Sequence, residues 1–240
     1  MPPSPVPPAP SSSPSSHPTP GAPHQMPMVG SASQTQGPSA ASARFGINSL
    51  MTDKPLRMDA FLGLSNHDLV DRYSIGIELC DPRVVSLEDH QLDTAFLPEA
   101  GVGRWPIRVL LGHLADAELV FVHRMRRAVA EDHPLLAVFD EQAFIDSGLY
   151  SAPGGETGGG PTSRATPPPI GAFLATIHTL RKWTTEWLAS LTPRQWERGA
   201  LHPERGPLTV RKIAEYDTWH LENHVWYLNR KVAKFAAAPT

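Results

Sequence analysis

The chain has 240 residues, 40% hydrophobic and 19% charged, enough apolar material to bury a core. Its net charge of −3 supplies no basic stripe of the kind a nucleic-acid backbone selects, so DNA and RNA are not expected partners. Cys80 is the only cysteine, which rules out an internal disulfide and a thiolate cluster and fits a reducing cytoplasm.

Of the 26 prolines, 12 fall in the first 40 residues. Residues 1–42 are rich in Pro, Ser and Ala, lack a basic stretch leading into an apolar run, and are expected to be a disordered tail rather than a secretory signal. His17 and His24 lie within it and carry no expected role, and translation starting at Met51 or Met58 is an alternative reading of the segment. Residues 43–65 form a lead-in without an assigned structure. No run of about 18 apolar residues occurs, so no membrane span is expected.

From residue 66 to 236 the pattern is helical. The spacing of Leu69, Tyr73 and Ile77 predicts a first helix over Asn66–Cys80, ended or kinked by Pro82. A second is expected from Pro106, placed in its first turn, to Ala130, with Ile107, Leu110, Leu114, Ala117, Phe121 and Met125 facing a core. Residues 151–169, dense in glycine and proline, read as a mobile surface loop. Phe173, Ile177, Leu180, Trp183 and Trp187 predict a third helix over Ile170–Ser190, and Pro193 starts a short turn. Gly206-Pro207 precedes a fourth helix, Leu208–Phe235, and no strand is assigned anywhere. The expected fold is an all-α four-helix bundle in which at least one connection crosses over.

The fourth helix carries His220 and His224 in an HxxxH spacing. At about 100° per residue the two imidazoles stack one turn apart on one face, which suits two ligands to one metal ion. They share their arc with Ile213, Tyr216 and Leu228, and so face the interior. His113, at the edge of the second helix's apolar stripe, supplies a third imidazole. Three converging buried imidazoles are most readily satisfied by a shared cation with a coordination position left open. A carboxylate-bridged di-iron centre would need Glu-x-x-His on two helices, and none is found.

Among the neighbours, Asp217 reads equally as an acceptor orienting a ligand imidazole and as the partner of a Lys or Arg. Arg124 reads as the partner of a carboxylate on a neighbouring helix rather than as an anion-binding group. Glu118 is placed across the apolar stripe from His113. His67, His90, His123, His133, His178 and His202 read as structural or solvated, and Trp183, Trp187, Trp219 and Trp226 as packing.

The order Arg104-Trp105-Pro106-Ile107-Arg108, then His113-Leu114-Ala115-Asp116-Ala117-Glu118, then His202-Pro203-Glu204-Arg205-Gly206-Pro207-Leu208-Thr209 before His220-x-x-x-His224 resembles the DinB-like superfamily. The likeness, over about residues 68–234, is to its YfiT-type metal-dependent hydrolases and bacillithiol transferases. The resemblance implies a four-helix bundle with a crossover in which His113, His220 and His224 bind one divalent metal ion, zinc or nickel. It implies a small-molecule substrate, with a low-molecular-weight thiol as one candidate, and allows a homodimer. The expected function is activation of that thiol for transfer to an electrophile, with hydrolysis by activated water second. The alternative is a non-catalytic, stress-associated metal-binding bundle.

Overall fold

In the computed structural model, residues 55, 57–150 and 166–236 are described. The expected tail over 1–42, most of the lead-in and residues 151–165 of the expected mobile loop lie outside them. Four long helices dominate: α1 (Asn66–Ile75), α3 (Ile107–Ala130), α5 (Ile170–Ala189) and α7 (Val210–Ala236). Three short ones, α2 (Asp89–Leu92), α4 (Glu141–Asp146) and α6 (Pro193–Trp196), lie between them.

Each long helix begins or ends for a local reason. The Ser65 side chain caps α1 by accepting from the Asp68 backbone N–H. The chain then tightens into a 3₁₀ turn over Gly76–Leu79 and stops ahead of Pro82, so the helix expected to reach Cys80 is α-helical only to Ile75. Pro106 sits one residue earlier than expected, as the N-cap of α3, where its missing N–H costs nothing. Of the apolar residues expected to face the core on α1, α3 and α7, Leu69, Tyr73, Ile107, Leu110, Leu114, Met125, Ile213 and Leu228 are essentially inaccessible. On α5 only Ile177 of the expected stripe is, while Trp183 remains half exposed.

Three layers of core fix how the helices run. At one end Leu69 and Tyr73 pack with Phe121, Met125, Leu188, Val210 and Ile213. In the middle Ile77 meets Leu114, Ile177, Leu221 and Val225. At the other end Ile107 and Leu110 meet Leu228 and Val232, with Phe173 and Leu174 against them. Thus α1 and α7 run one way and α3 and α5 the other. α1 packs chiefly on α5 and α7, and α3 on α5 and α7, so successive long helices α1 and α3 stand diagonally across the bundle, as do α5 and α7. The connection from α3 to α5 must therefore return along the length of the bundle. Its described part does so over α3, where Ile145 and Tyr150 pack on Val109.

The absence of strands expected from the sequence is corrected by a hairpin. β1 (Gly199–His202) pairs antiparallel with β2 (Gly206–Thr209), Gly206 at φ 71° closing the three-residue loop. The Leu136 N–H donates to the Leu201 carbonyl and the Leu201 N–H to the Pro134 carbonyl along the other side of β1, leaving Pro207 on the outer strand, where it need not donate. These strands are four residues long and punctuated by Gly and Pro, so nothing in their own pattern announces them. They exist because the α3–α5 connection gives them something to pair with and α3 and α7 something to cover.

At the bundle centre every long helix contributes to one polar cluster. The Arg181 guanidinium, fully buried, donates to Glu118 Oε2 at 2.9 Å, to the Tyr73 carbonyl at 2.9 Å and to Asp217 Oδ1 at 3.0 Å. The Tyr73 hydroxyl donates to the second Glu118 oxygen at 2.5 Å. Burial alone would lower the Arg181 pKa, yet Glu118 and Asp217 hold it above its ordinary value. Burial and the nearby Glu118 raise Asp217 well above the usual carboxylate range, against the opposing pull of Arg181.

Candidate metal centre

Because α3 and α7 are antiparallel with Leu114 packed against Leu221 and Val225, His113 meets the His220–His224 face at the same level. His113 Nε2 and His220 Nε2 lie 3.2 Å apart. One ring nitrogen from each of His113, His220 and His224 lies within 4.8 Å of the others. The ring centroids are 5.1 Å apart for His113 with either partner and 4.5 Å for His220 with His224. His113 and His220 are buried and His224 is partly so.

These imidazoles are held neutral, the form that ligates. Burial pushes His113 down to about 4, and burial with the nearby His113 and Lys231 pushes His224 down to about 3. Burial, then His224 and His113, lowers His220 well below the ordinary range. His113 Nδ1 is buried without a hydrogen-bond partner, and its Nε2 faces only other imidazoles and a carboxylate. The protein offers this Nε2 no donor but a neighbouring imidazole, whereas a cation among the three nitrogens would use their lone pairs, with the His113 ring proton on Nδ1. Three neutral nitrogen donors suit zinc or nickel, so the residues present fit a divalent metal.

Aromatic rings wall the cluster. Trp105 stacks on His224 at 6.1 Å and meets the His113 edge at 5.2 Å, Phe139 stacks on His113 at 6.1 Å, and Phe121 meets His220 at 5.5 Å. On one side a cavity of about 340 Å³ reaches His113 and His220 between Phe121, Val138, Phe139 and Tyr216. Glu141, at the start of α4, brings Oε2 to 3.8 Å from His113 Nε2 and is 54% exposed at this cavity. Sequence reasoning missed it, because it lies on the returning α3–α5 connection, whose path over α3 no local periodicity encodes.

Several expectations change. Asp217 turns its carboxyl group to Arg181, not to an imidazole, so of its two readings the arginine partner holds, buried rather than partly exposed. Glu118 likewise serves the central cluster. Arg124 donates Nη2 to the Ala137 carbonyl oxygen at 2.7 Å and pairs with no carboxylate among the described residues, contrary to expectation. His202, expected to be structural or solvated, is buried and borders the cavity. His123 is exposed. Trp183 and Trp226 do pack, each under a guanidinium, from Arg126 at 3.6 Å and Arg230 at 4.0 Å. Cys80 offers no alternative nucleophile, since burial pushes its thiol up to about 12.

Gly112 brings the return connection onto the site. A Cβ there would lie 2.3 Å from Tyr150 Cδ1, and Tyr150 is further fixed by its hydroxyl donating to Asp116 Oδ2 at 2.5 Å. Gly112→Ala is expected to destabilise the protein by about 1–3 kcal/mol through overpacking. Thermal unfolding measures this, and an unchanged melting temperature would mean that Tyr150 yields without cost.

The sequence profile of the DinB superfamily matches residues 75–228. A protein of Oceanobacillus iheyensis provisionally named a metal-dependent hydrolase is 27% identical over 145 residues, 60% of this chain and 73% of its own length. YfiT of Bacillus subtilis, provisionally named likewise, is 26% identical over 143 residues, 59% of this chain and 70% of YfiT. The solved structure of YfiT, described as having an unusual four-helix bundle topology, superposes with a TM-score of 0.59 at 20% identity, covering 74% of this chain and 93% of that one. No helix among the described residues is long and apolar enough to cross a membrane.

Proposed function

Because the chain belongs to the DinB superfamily, whose profile matches residues 75–228, from the last residue of α1 into α7, we propose that it is a metal-dependent enzyme. His113, His220 and His224 would hold one zinc or nickel ion, and the adjoining cavity a small electrophilic substrate. The observation that carries this reading is the convergence of three neutral imidazoles from two helices, two of which, His113 and His220, stand at the wall of a cavity that also presents a carboxylate. A divalent cation held there would lower the pKa of a coordinated water toward neutrality, or deprotonate a coordinated thiol outright, and polarise the substrate.

Glu141 favours hydrolysis over thiol transfer, reversing the order that the sequence suggests. Its carboxylate stands beside His113, where it accepts a proton from a reacting water and can return it to a leaving group. A thiol already deprotonated has no need of that base. The names of the relatives support the same order. Trp105, Phe121 and Phe139 exclude bulk water from the imidazole rings and fix their orientation.

The test is turnover by metal-loaded protein on a panel of ester, amide and lactone substrates, each with and without low-molecular-weight thiols. Turnover without thiol supports hydrolysis, strict dependence on a thiol would restore transfer to first place, and inertness across the panel would favour the non-catalytic bundle. Glu141→Gln is expected to lower turnover by about 10²–10⁴-fold, the usual contribution of a positioned base, while metal affinity changes little. If the variant instead loses its metal, Glu141 closes the coordination shell, and the metal is structural.

A further inference from the structure

The cavity that touches His113 and His220 has a second polar end. Arg124 lies eleven residues after His113 on α3, about 16 Å further along the axis. Its side chain lines the cavity and is 9% exposed. One guanidinium nitrogen donates to the Ala137 carbonyl oxygen; Nε is buried with no acceptor, and no carboxylate lies within ion-pair distance among the described residues. A buried guanidinium satisfied by one neutral carbonyl is costly, because charged donors removed from water need charged or multiple acceptors.

Two more donors border the same end. His202, 3% exposed at the end of β1, accepts the Glu204 backbone N–H at Nδ1, at 3.2 Å, which puts the proton of its neutral ring on Nε2. Arg205, in the hairpin loop, lies with its guanidinium 4.4 Å from the Tyr216 ring centroid and donates to the Tyr216 hydroxyl at 3.0 Å. Burial, then the like charge of Arg205, lowers Arg124, and burial with both arginines lowers His202, so positive charge is crowded here. The carboxylates around the cavity do not neutralise it: Glu215 is paired with Arg211, Glu141 stands by His113, and Glu204, though it attracts Arg124, is exposed and makes no ion pair among the described residues. Lys212 adds a further exposed positive charge at the mouth.

We propose that Arg124, His202 and Arg205 form an anion-recognising subsite, so that the substrate is an elongated molecule bearing a carboxylate or phosphate-type group at the end remote from its reacting bond. The apolar middle of the cavity, Phe121, Val138, Phe139 and Leu208, would pack the body of such a molecule. At about 340 Å³ the cavity is at the small end of the ~300–1,000 Å³ typical of small-molecule sites, which suits one small elongated acid rather than a peptide. The subsite names the substrate class of the proposed enzyme and rests on that reading only for the reaction. Anion binding itself does not require the metal.

The test uses the full chain, metal-free and metal-loaded, with phenylpropanoate and phenylpropylphosphonate as probes and phenylpropanamide as the neutral control, followed by calorimetry. The acids are expected to bind the metal-free protein at least about tenfold more tightly than the amide, and Arg124→Gln to remove that preference. Arg124→Lys should restore part of it. Arg205→Gln, a change at an exposed position that leaves the fold intact, should weaken acid binding by a few fold and leave amide binding unchanged. Equal binding of acid and amide, or acid binding indifferent to both arginine substitutions, would overturn the subsite. Acids that bind only the metal-loaded protein would place the anion on the metal instead, which also overturns the subsite but leaves the metal site standing. Failure of the metal reading shows separately, as acid binding retained by a protein that takes up no metal.

Discussion

His113→Ala, His220→Ala and His224→Ala are each expected to abolish stoichiometric binding of zinc or nickel, while His123→Ala keeps it. Loss of a partner that merely orients a ligand costs about 10–100-fold in metal affinity, so loss of one of three direct ligands should cost more than that. The decisive variant is His113→Ala. It lies 107 residues from His220 in sequence, yet its Nε2 is 3.2 Å from that of His220. His123, on the same helix but exposed, controls for damage to α3. Metal content by elemental analysis, with competition against a chromophoric chelator, measures the effect. Were His113→Ala to bind metal as tightly as the parent while His220→Ala did not, the third ligand would have to be sought in Glu141.

Arg181→Met is expected to be the most destabilising single change in the bundle. It removes the one cation among Tyr73, Glu118 and Asp217 and leaves Glu118 Oε2 and Asp217 Oδ1 buried without their guanidinium donor. Breaking a buried charge pair from one side costs about 3–5 kcal/mol, a large part of the ~5–15 kcal/mol available to a domain. For a domain of this size the melting temperature should fall by roughly 6–20 °C. Asp217→Asn, by contrast, replaces a carboxyl group whose burial beside Glu118 favours its neutral form with a neutral amide of the same shape, and should cost about 1 kcal/mol or less. Equal losses for the two variants would show that Asp217 is ionised in the folded protein.

The helices and the three histidines were legible because each signal is local: a stripe at helical period, a pair one turn apart, an imidazole on an apolar edge. What periodicity could not supply was the pairing of elements across the bundle. Arg181 sits in the third-helix pattern as an ordinary charged residue, and only the diagonal arrangement makes it the centre of the molecule. Asp217 was placed on the correct face of its helix, but two kinds of partner fit that face equally, and the choice needed the position of α5. Glu141 and the β1–β2 hairpin depend on where a long connection travels, which turn residues alone leave open. Arg124 was misjudged for the opposite reason: a charged side chain on a helix usually finds a carboxylate, and here the neighbouring segment offers a backbone carbonyl.

The diagonal placement of successive helices also bears on how quickly and in what order the chain can reach this state. In most helical bundles each helix docks on the one just made, so contacts close over short loops and folding takes microseconds to milliseconds. Here the ties between long helices span 108 residues from Tyr73 to Arg181, 107 from His113 to His220 and 150 from Arg72 to Glu222. Closing loops of that length demands entropy before any contact repays it. Refolding is therefore expected to be slow for an all-helical protein. During synthesis α1 and α3 lack their main packing partners until α5 emerges, and the histidine cluster is assembled only when α7 has left the ribosome.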